Sequence, residues 1–294
     1  MSLSSKYQWK TCPEPAQHLY STLDRLLDGT DFGRRWSDRC RPESGTRFFD
    51  WVDHIVVHDD QHDTLANLGF ELTDGTWRNP DALFPSVRFG EKHAVAIKVD
   101  SAIDFAAANG LANDCTVTGS DGDQFMSITV NGNTDFVAIE RHGYRGYSAV
   151  DSNAAQKQIA RDFYASISQR HRDHSQKDPA SGFDEAAKML KEVSTELDIN
   201  WACDIFFRAE REYWMSRNKA ARVQKKRQDA LGSGWANHDH HTFRSSRECF
   251  ARLVSVLELM GFECREQFYA GEQAGWGAQV LEHPKCGIVI FTDV

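Results

Sequence analysis

The sequence predicts an α+β fold in which strand-rich modules bracket a long helical stretch, and three observations carry that expectation. Two β-branched and aromatic segments each open a strand–helix–strand run, and the helices close on Leu68-Gly69-Phe70 and on Met260-Gly261-Phe262. From Tyr147 to about Gly232 apolar residues recur at helical spacing with almost no strand signal. Gly119, Gly122 and Gly132 lie in turn sequences that favour positive φ and therefore hairpins between the remaining strands.

Each element follows from its local pattern. Leu19, Leu23, Leu26 and Leu27 are spaced as one face of a helix running from Glu14 until Gly29 stops it, so residues 1–45 read as an N-terminal capping region. A strand from Arg47 to Val57 follows, then a helix. Strands from Phe70 to Thr76, Ala82 to Phe89 and His93 to Val99 come next, divided by Asn79-Pro80 and Gly90-Glu91. Ser101 to Asn109 is a short helix closed by Gly110, and strands at Thr116, Phe125 to Val130 and Asp135 to Arg141 complete a unit over 46–147. Residues 148–233 form a helical insertion, with helices over 153–171, 183–197 and 201–231 and a break at Asp178-Pro179. Its basic run 217–227 reads as a solvated helix face rather than a nucleic-acid or anionic-lipid patch, because no aromatics interleave it.

Residues 234–294 repeat the beginning. Asp53-His54-Ile55-Val56-Val57 has a counterpart in Asp239-His240-His241-Thr242-Phe243, Phe84 to Phe89 in Gly277 to Leu281, and residues 94–100 in 287–294. This second unit of the same type looks incomplete, since it ends where the first continues; either the chain stops short or the second unit is built differently. Val294 is expected to lie in a sheet.

Composition narrows the function. A formal charge of −9, from 34 basic against 43 acidic side chains, repels a phosphate backbone and disfavours nucleic acid as a partner. No apolar run is long enough to span a membrane, no secretory leader is recognisable, and the seven cysteines are scattered without a C-x-x-C pair. The sequence therefore predicts a cytoplasmic protein with a small-molecule substrate or ligand, and neither a disulfide framework nor a thiolate zinc site. It is silent on oligomeric state.

The D-H opening followed by β-branched residues, the L-G-F helix stop and the closing strand FVAIERHGYRGY (136–147) resemble the vicinal-oxygen-chelate superfamily of glyoxalases, extradiol dioxygenases and 4-hydroxyphenylpyruvate dioxygenase. The likeness covers 46–147 well, with modules at 46–90 and 91–147, and 237–294 in part; it leaves out the helical middle. It implies βαβββ modules forming half-open barrels, with a divalent metal such as Fe(II) on a His from each first strand and a Glu from a late strand. His54, His93 and Glu140 are then the N-terminal candidates. Val137 stands where the metal Glu is expected, however, and Glu140, three residues on, faces the opposite side of a regular strand. The alternative is that His54 and His93 are satisfied histidines in a barrel without metal.

The run Asn237-His238-Asp239-His240-His241 is the densest group of donors in the chain. In the second unit the resemblance gives His240 the place of the first metal ligand, with Glu282 on a later strand as its carboxylate; the residues themselves offer His241 as a catalytic base and Arg244, with Arg247, as a clamp for a carboxylate, a surface role being the alternative for both arginines. The equal alternative is exposed polar residues at a loop–strand junction. The function this implies is a metal-dependent enzyme, a mononuclear iron dioxygenase or a lyase/isomerase acting on a small keto or hydroxy acid; the alternative is a metal-free protein that binds or sequesters a small ligand.

Overall fold

A computed structural model describes residues 11–111, 114–150, 152–172, 178, 180–236, 240–273 and 275–294. They are mixed α+β and form two compact units: one from residues within 1–119, 126–140 and 223–237, the other from residues within 120–125, 141–222 and 238–294. The helical stretch is thus shared between them rather than standing alone.

The first unit begins with α1 (Pro13–Leu27) and α2 (Asp31–Arg39), the latter capped by Thr30, whose hydroxyl accepts the Gly33 N–H. Two sets of strands follow. The first holds β1 (Val52–Val57), α3 (His62–Asn67), β2 (Glu71–Thr73), β3 (Thr76–Arg78) and β4 (Ser86–Phe89). The second holds β5 (Ala94–Lys98), α4 (Ala102–Ala108), β6 (Thr116–Thr118), β7 (Phe125–Val130) and β8 (Asp135–Arg141). They make one eight-stranded mixed sheet in the order β2-β3-β4-β1-β5-β8-β7-β6, and no barrel closes among the described residues. In each set the first strand runs parallel to the last, β1 to β4 and β5 to β8, and antiparallel pairing of β1 with β5 joins the sets. The long strand expected over Phe70 to Thr76 is instead a hairpin, because Asp74 and Gly75 take φ of 50° and 71° and turn the chain back.

Alternation along these strands sorts the sheet into two faces. Ile55, Val57, Val87, Val95, Ile97, Phe136 and Ala138 are all buried and pack with Leu19, Leu23 and Leu26 of α1, Trp36 of α2, Leu65 of α3 and Phe105 of α4. The other face carries His54, Val56, Ser86, Arg88, Ala96, Lys98 and Val137. Burial of Trp36, Trp51, Phe105 and Phe136 at 1% exposure or less anchors the helices on the apolar face, each ring contributing about 1.5–3 kcal/mol. The helix expected over 201–231 breaks at Asn218, and the C-terminal end of α8 (Lys219–Leu231) belongs to this unit, where the Leu231 carbonyl accepts the Trp36 indole N–H at 2.9 Å.

The second unit packs α5 (Ala154–Ser168), α6 (Ser181–Val193) and α7 (Ile199–Arg217) with β9 (His240–Arg244), α9 (Arg247–Leu259), β10 (Glu263–Tyr269), β11 (Gly277–Glu282) and β12 (Val289–Asp293). The four strands order as β10-β11-β12-β9, with β12 parallel to β9, formally the order found in each half of the larger sheet. Two pairings expected from sequence do not follow the sheets: residues 287–294 hold the place of β4, parallel to the first strand, whereas 94–100 form β5, antiparallel to β1, and Gly277 to Leu281 lie on β11, in the place of β3, whereas Phe84 to Phe89 end in β4. Leu281, Ile290 and Thr292 face the helices, where Phe206, Phe207, Leu253, Leu257 and Phe262 close the core. The Val294 N–H donates to the Gly277 carbonyl at 3.1 Å, so the chain's last residue is tied to the sheet.

Candidate functional site

Among the described residues, one group in the second unit could hold a metal ion. Cys203, His283 and Cys286 place their donor atoms within 4.8 Å of one another. Cys203 comes from α7, whose first turn is fixed by Asp198 accepting the Asn200 and Trp201 N–H groups. His283 and Cys286 come from the β11–β12 turn, which reverses through Gly287 at φ 68°.

That turn is organised by the His283 ring. Its Nδ1 accepts the backbone N–H groups of Lys285 and Cys286 at 3.2 and 3.0 Å, and its Nε2 faces the Met260 carbonyl at 2.8 Å. A carbonyl only accepts, so the proton sits on Nε2, and both ring nitrogens are engaged. A metal at this place would draw first on the two sulfurs; His283 would have to release Met260 or the turn. Soft thiolates suit zinc or copper(I) rather than a dioxygenase iron. The half-buried Cys286 thiol donates to the Asn200 carbonyl at 3.3 Å. The hydrogen bond from Cys203 pulls the Cys286 pKa down to about 7 against its burial, with His283 helping, while burial pushes Cys203 well up. Beside them His142 Nδ1 lies 2.8 Å from Asp204, and Gly143 at φ 63° packs so closely on Asn200 that a Cβ would collide with its backbone.

His54, on β1, is 5% exposed, and its Nδ1 lies 2.7 Å from the Asp53 carboxylate. A carboxylate accepts only, so Nδ1 carries the proton that faces Asp53, whereas in His283 Nδ1 is the accepting nitrogen. A register shift between Val52 and His54 on the β1–β5 ladder, with Asp53 between them, marks the irregularity at which the carboxylate meets its neighbour's ring. His54 is level with Ser86 on one side and Ala96 on the other, and Ala96 with Val137. Arg88 and Lys98 share its face, two residues along their strands.

The other N-terminal candidates do not join it. His93 immediately precedes β5 and falls by alternation on the helix-bearing side, its ring 4.3 Å from that of His58. Burial, then the His58 charge, holds its pKa below the ordinary value. Glu140 lies three residues beyond Val137, on the opposite side, and accepts the Ala102 N–H at 2.8 Å. Together with Ser101, which accepts the Asp104 N–H at 3.1 Å, it satisfies orphan donors at the start of α4.

In the second unit His240 and Glu282 share one rung, Glu282 pairing with Val289 and Val289 with His240, so they project from the same face two strands apart, about 10 Å between Cα atoms. The Arg265 guanidinium is ion-paired with Glu282. His241 faces the other way, its ring 4.9 Å from that of Phe207. Arg244 is exposed and bonds Asp293 at 2.8 Å, across the strand pair. Asn237, His238 and Asp239, part of the donor-rich run, lie outside the described residues. Trp51 and Trp77 are core residues of the first unit, Trp235 is also buried, and Cys249 is buried on α9, whereas Trp276 is exposed.

No thiolate site is expected from the sequence, yet Cys203 and Cys286, far apart along the chain, come together where α7 packs under the β11–β12 turn, in a group that could hold a metal ion. The H-x-x-C spacing of His283 and Cys286 was the one available signal. No family model matches the chain, and no curated protein matches it.

Proposed function

We propose that the protein acts on a small keto or hydroxy acid as a lyase or isomerase, with His54 as the group that moves the proton, on a scaffold of vicinal-oxygen-chelate type. The observation that carries this reading is the buried His54–Asp53 pair at 2.7 Å, in which the carboxylate holds the ring through its Nδ1–H and leaves proton transfer to Nε2. Asp53 would stabilise the imidazolium formed when Nε2 takes a proton α to a carbonyl, and Arg88 and Lys98 put positive charge on the face an acid's carboxylate would meet. The scaffold assignment is supported by the common strand order of the three strand sets and by the antiparallel joining of two of them through their first strands.

The test is solvent exchange. When pyruvate, 2-oxoglutarate or lactate is incubated with wild-type protein in D2O, at least one should take up deuterium, the keto acids on the carbon next to the ketone and lactate on its hydroxyl-bearing carbon. His54→Gln should slow this about 100-fold or more, the ordinary contribution of a positioned base. Equal exchange by both proteins would overturn the assignment.

A second reading, a mononuclear Fe(II) dioxygenase, is favoured by the shared rung of His240 and Glu282. His54, His93 and Glu140 do not converge and do not fit a facial iron site. His240 and Glu282 would supply two of the donors such an ion takes, an imidazole and a carboxylate, once Glu282 leaves Arg265. Metal analysis of wild type beside His240→Ala and His54→Ala separates the readings: iron lost only with His240 favours the second. Stoichiometric binding of an acid without turnover or exchange would favour the metal-free binding protein instead.

A further inference from the structure

We infer that Cys286 is a thiol-modification site for low-molecular-weight disulfides, resolved by Cys203 into an intramolecular Cys203–Cys286 disulfide. The geometry points there because two sulfurs from separate elements lie within 4.8 Å, with Cys286 half-buried at a turn and Cys203 fully buried behind it on α7. An external disulfide therefore meets Cys286 first. The nearby imidazole, with both nitrogens held by the turn and by Met260, completes no three-ligand cage without breaking those bonds. The inference concerns the second unit and is independent of the role given to His54.

The chemistry balances in two exchanges. The Cys286 thiolate attacks a small disulfide RS–SR, forming Cys286–S–S–R and releasing RS⁻. The Cys203 thiol then gives its proton to solvent and attacks the Cys286 sulfur, forming the protein disulfide and releasing the second RS⁻. Two protein thiols are oxidised, one external disulfide is reduced to two thiols, and no other oxidant enters. Closing the bond removes the Cys286 S–H bond to Asn200 and staples the β11–β12 turn to α7.

The experiment treats the full chain with oxidised glutathione, blocks remaining thiols under denaturing conditions and maps peptides by mass spectrometry. Cys264, exposed and on β10, is the internal control for reagent activity. Wild type should yield a Cys203–Cys286 cross-linked peptide and carry the glutathione adduct on Cys264. Cys203→Ser should accumulate the adduct on Cys286, because nothing resolves it, and Cys286→Ser should leave Cys203 a free thiol. If Cys264 is modified while Cys203 and Cys286 both stay reduced, the inference fails. It fails equally if wild type keeps a stable adduct on Cys286, or if the protein retains zinc that both cysteines bind and that blocks oxidation.

Discussion

Removing the Glu210 carboxylate should destabilise the second unit by about 3–5 kcal/mol, the cost of breaking a buried ion pair from one side. Glu210 on α7 is 3% exposed and accepts from Arg170 at 2.6 Å, from two nitrogens of Arg172 at 2.7 and 3.1 Å, and from the Trp214 indole at 3.2 Å. The arginine side chains are only 14% and 8% exposed, so Glu210→Ala leaves two positive groups facing each other in little water. Burial already pushes the Arg170 pKa below its ordinary value, and Glu210 is the nearest opposing influence. At a urea m-value of about 2 kcal/mol per molar, the midpoint should fall by roughly 1.5–2.5 M. Glu210→Gln retains an accepting oxygen and should fall between wild type and alanine. Urea titration followed by circular dichroism, with hydrogen exchange of the α5–α7 amides assigning the transition to this unit, is the assay. A folded Glu210→Ala protein whose midpoint moves by under about 0.5 M would refute the argument that this carboxylate is what makes the two arginines tolerable inside.

Further expectations concern the first unit and the Cys286 surroundings. His18 and His93 both have pKa values held below the ordinary 6.5, chiefly by burial, so the unfolded chain binds more protons than the native one just below that pH. Stability should therefore fall as pH drops through about 6.5, and a combined His18→Gln/His93→Gln variant should flatten that slope in thermal melts; an unchanged slope would show the protons are taken up elsewhere. Gly143→Ala must hold a side chain at φ 63° and displace the Asn200 backbone, so a loss of at least about 1–3 kcal/mol is expected from chemical denaturation. Ser101→Ala removes the cap of α4 and should cost about 0.5–2 kcal/mol, with Glu140→Gln costing less because its amide oxygen still accepts the Ala102 N–H.

Much of the fold was legible because periodicity reports burial directly. The leucines of α1, the helix stops at Gly69 and Gly261, and the alternation in β1, β5 and β8 all reflect one apolar face meeting a core. Three-residue strands such as β2 and β3 are too short to show a period, so the sequence pattern reads their hairpin as one strand. Opposite facing of Glu140 and Val137 also followed from strand alternation, as did the opposed directions of His240 and His241. The sulfur pair was not legible: nothing local in Cys203 announces Cys286, because their meeting depends on how α7 lies under a distant turn. Nor does a sequence state that His54 finds its partner in the adjacent Asp53, since neighbours on a regular strand point apart and only a local irregularity lets them touch.

The tautomer of His54 is the most direct test of the central claim. Imidazole 15N NMR on selectively labelled protein should show Nδ1 protonated and Nε2 as the nitrogen that gains and loses a proton. That Nε2 signal should shift when pyruvate or 2-oxoglutarate is added, and Asp53→Ala should let the proton redistribute between the nitrogens. A ring whose single proton sits on Nε2 in the wild-type protein, or a spectrum that neither the acids nor Asp53→Ala alters, would contradict it.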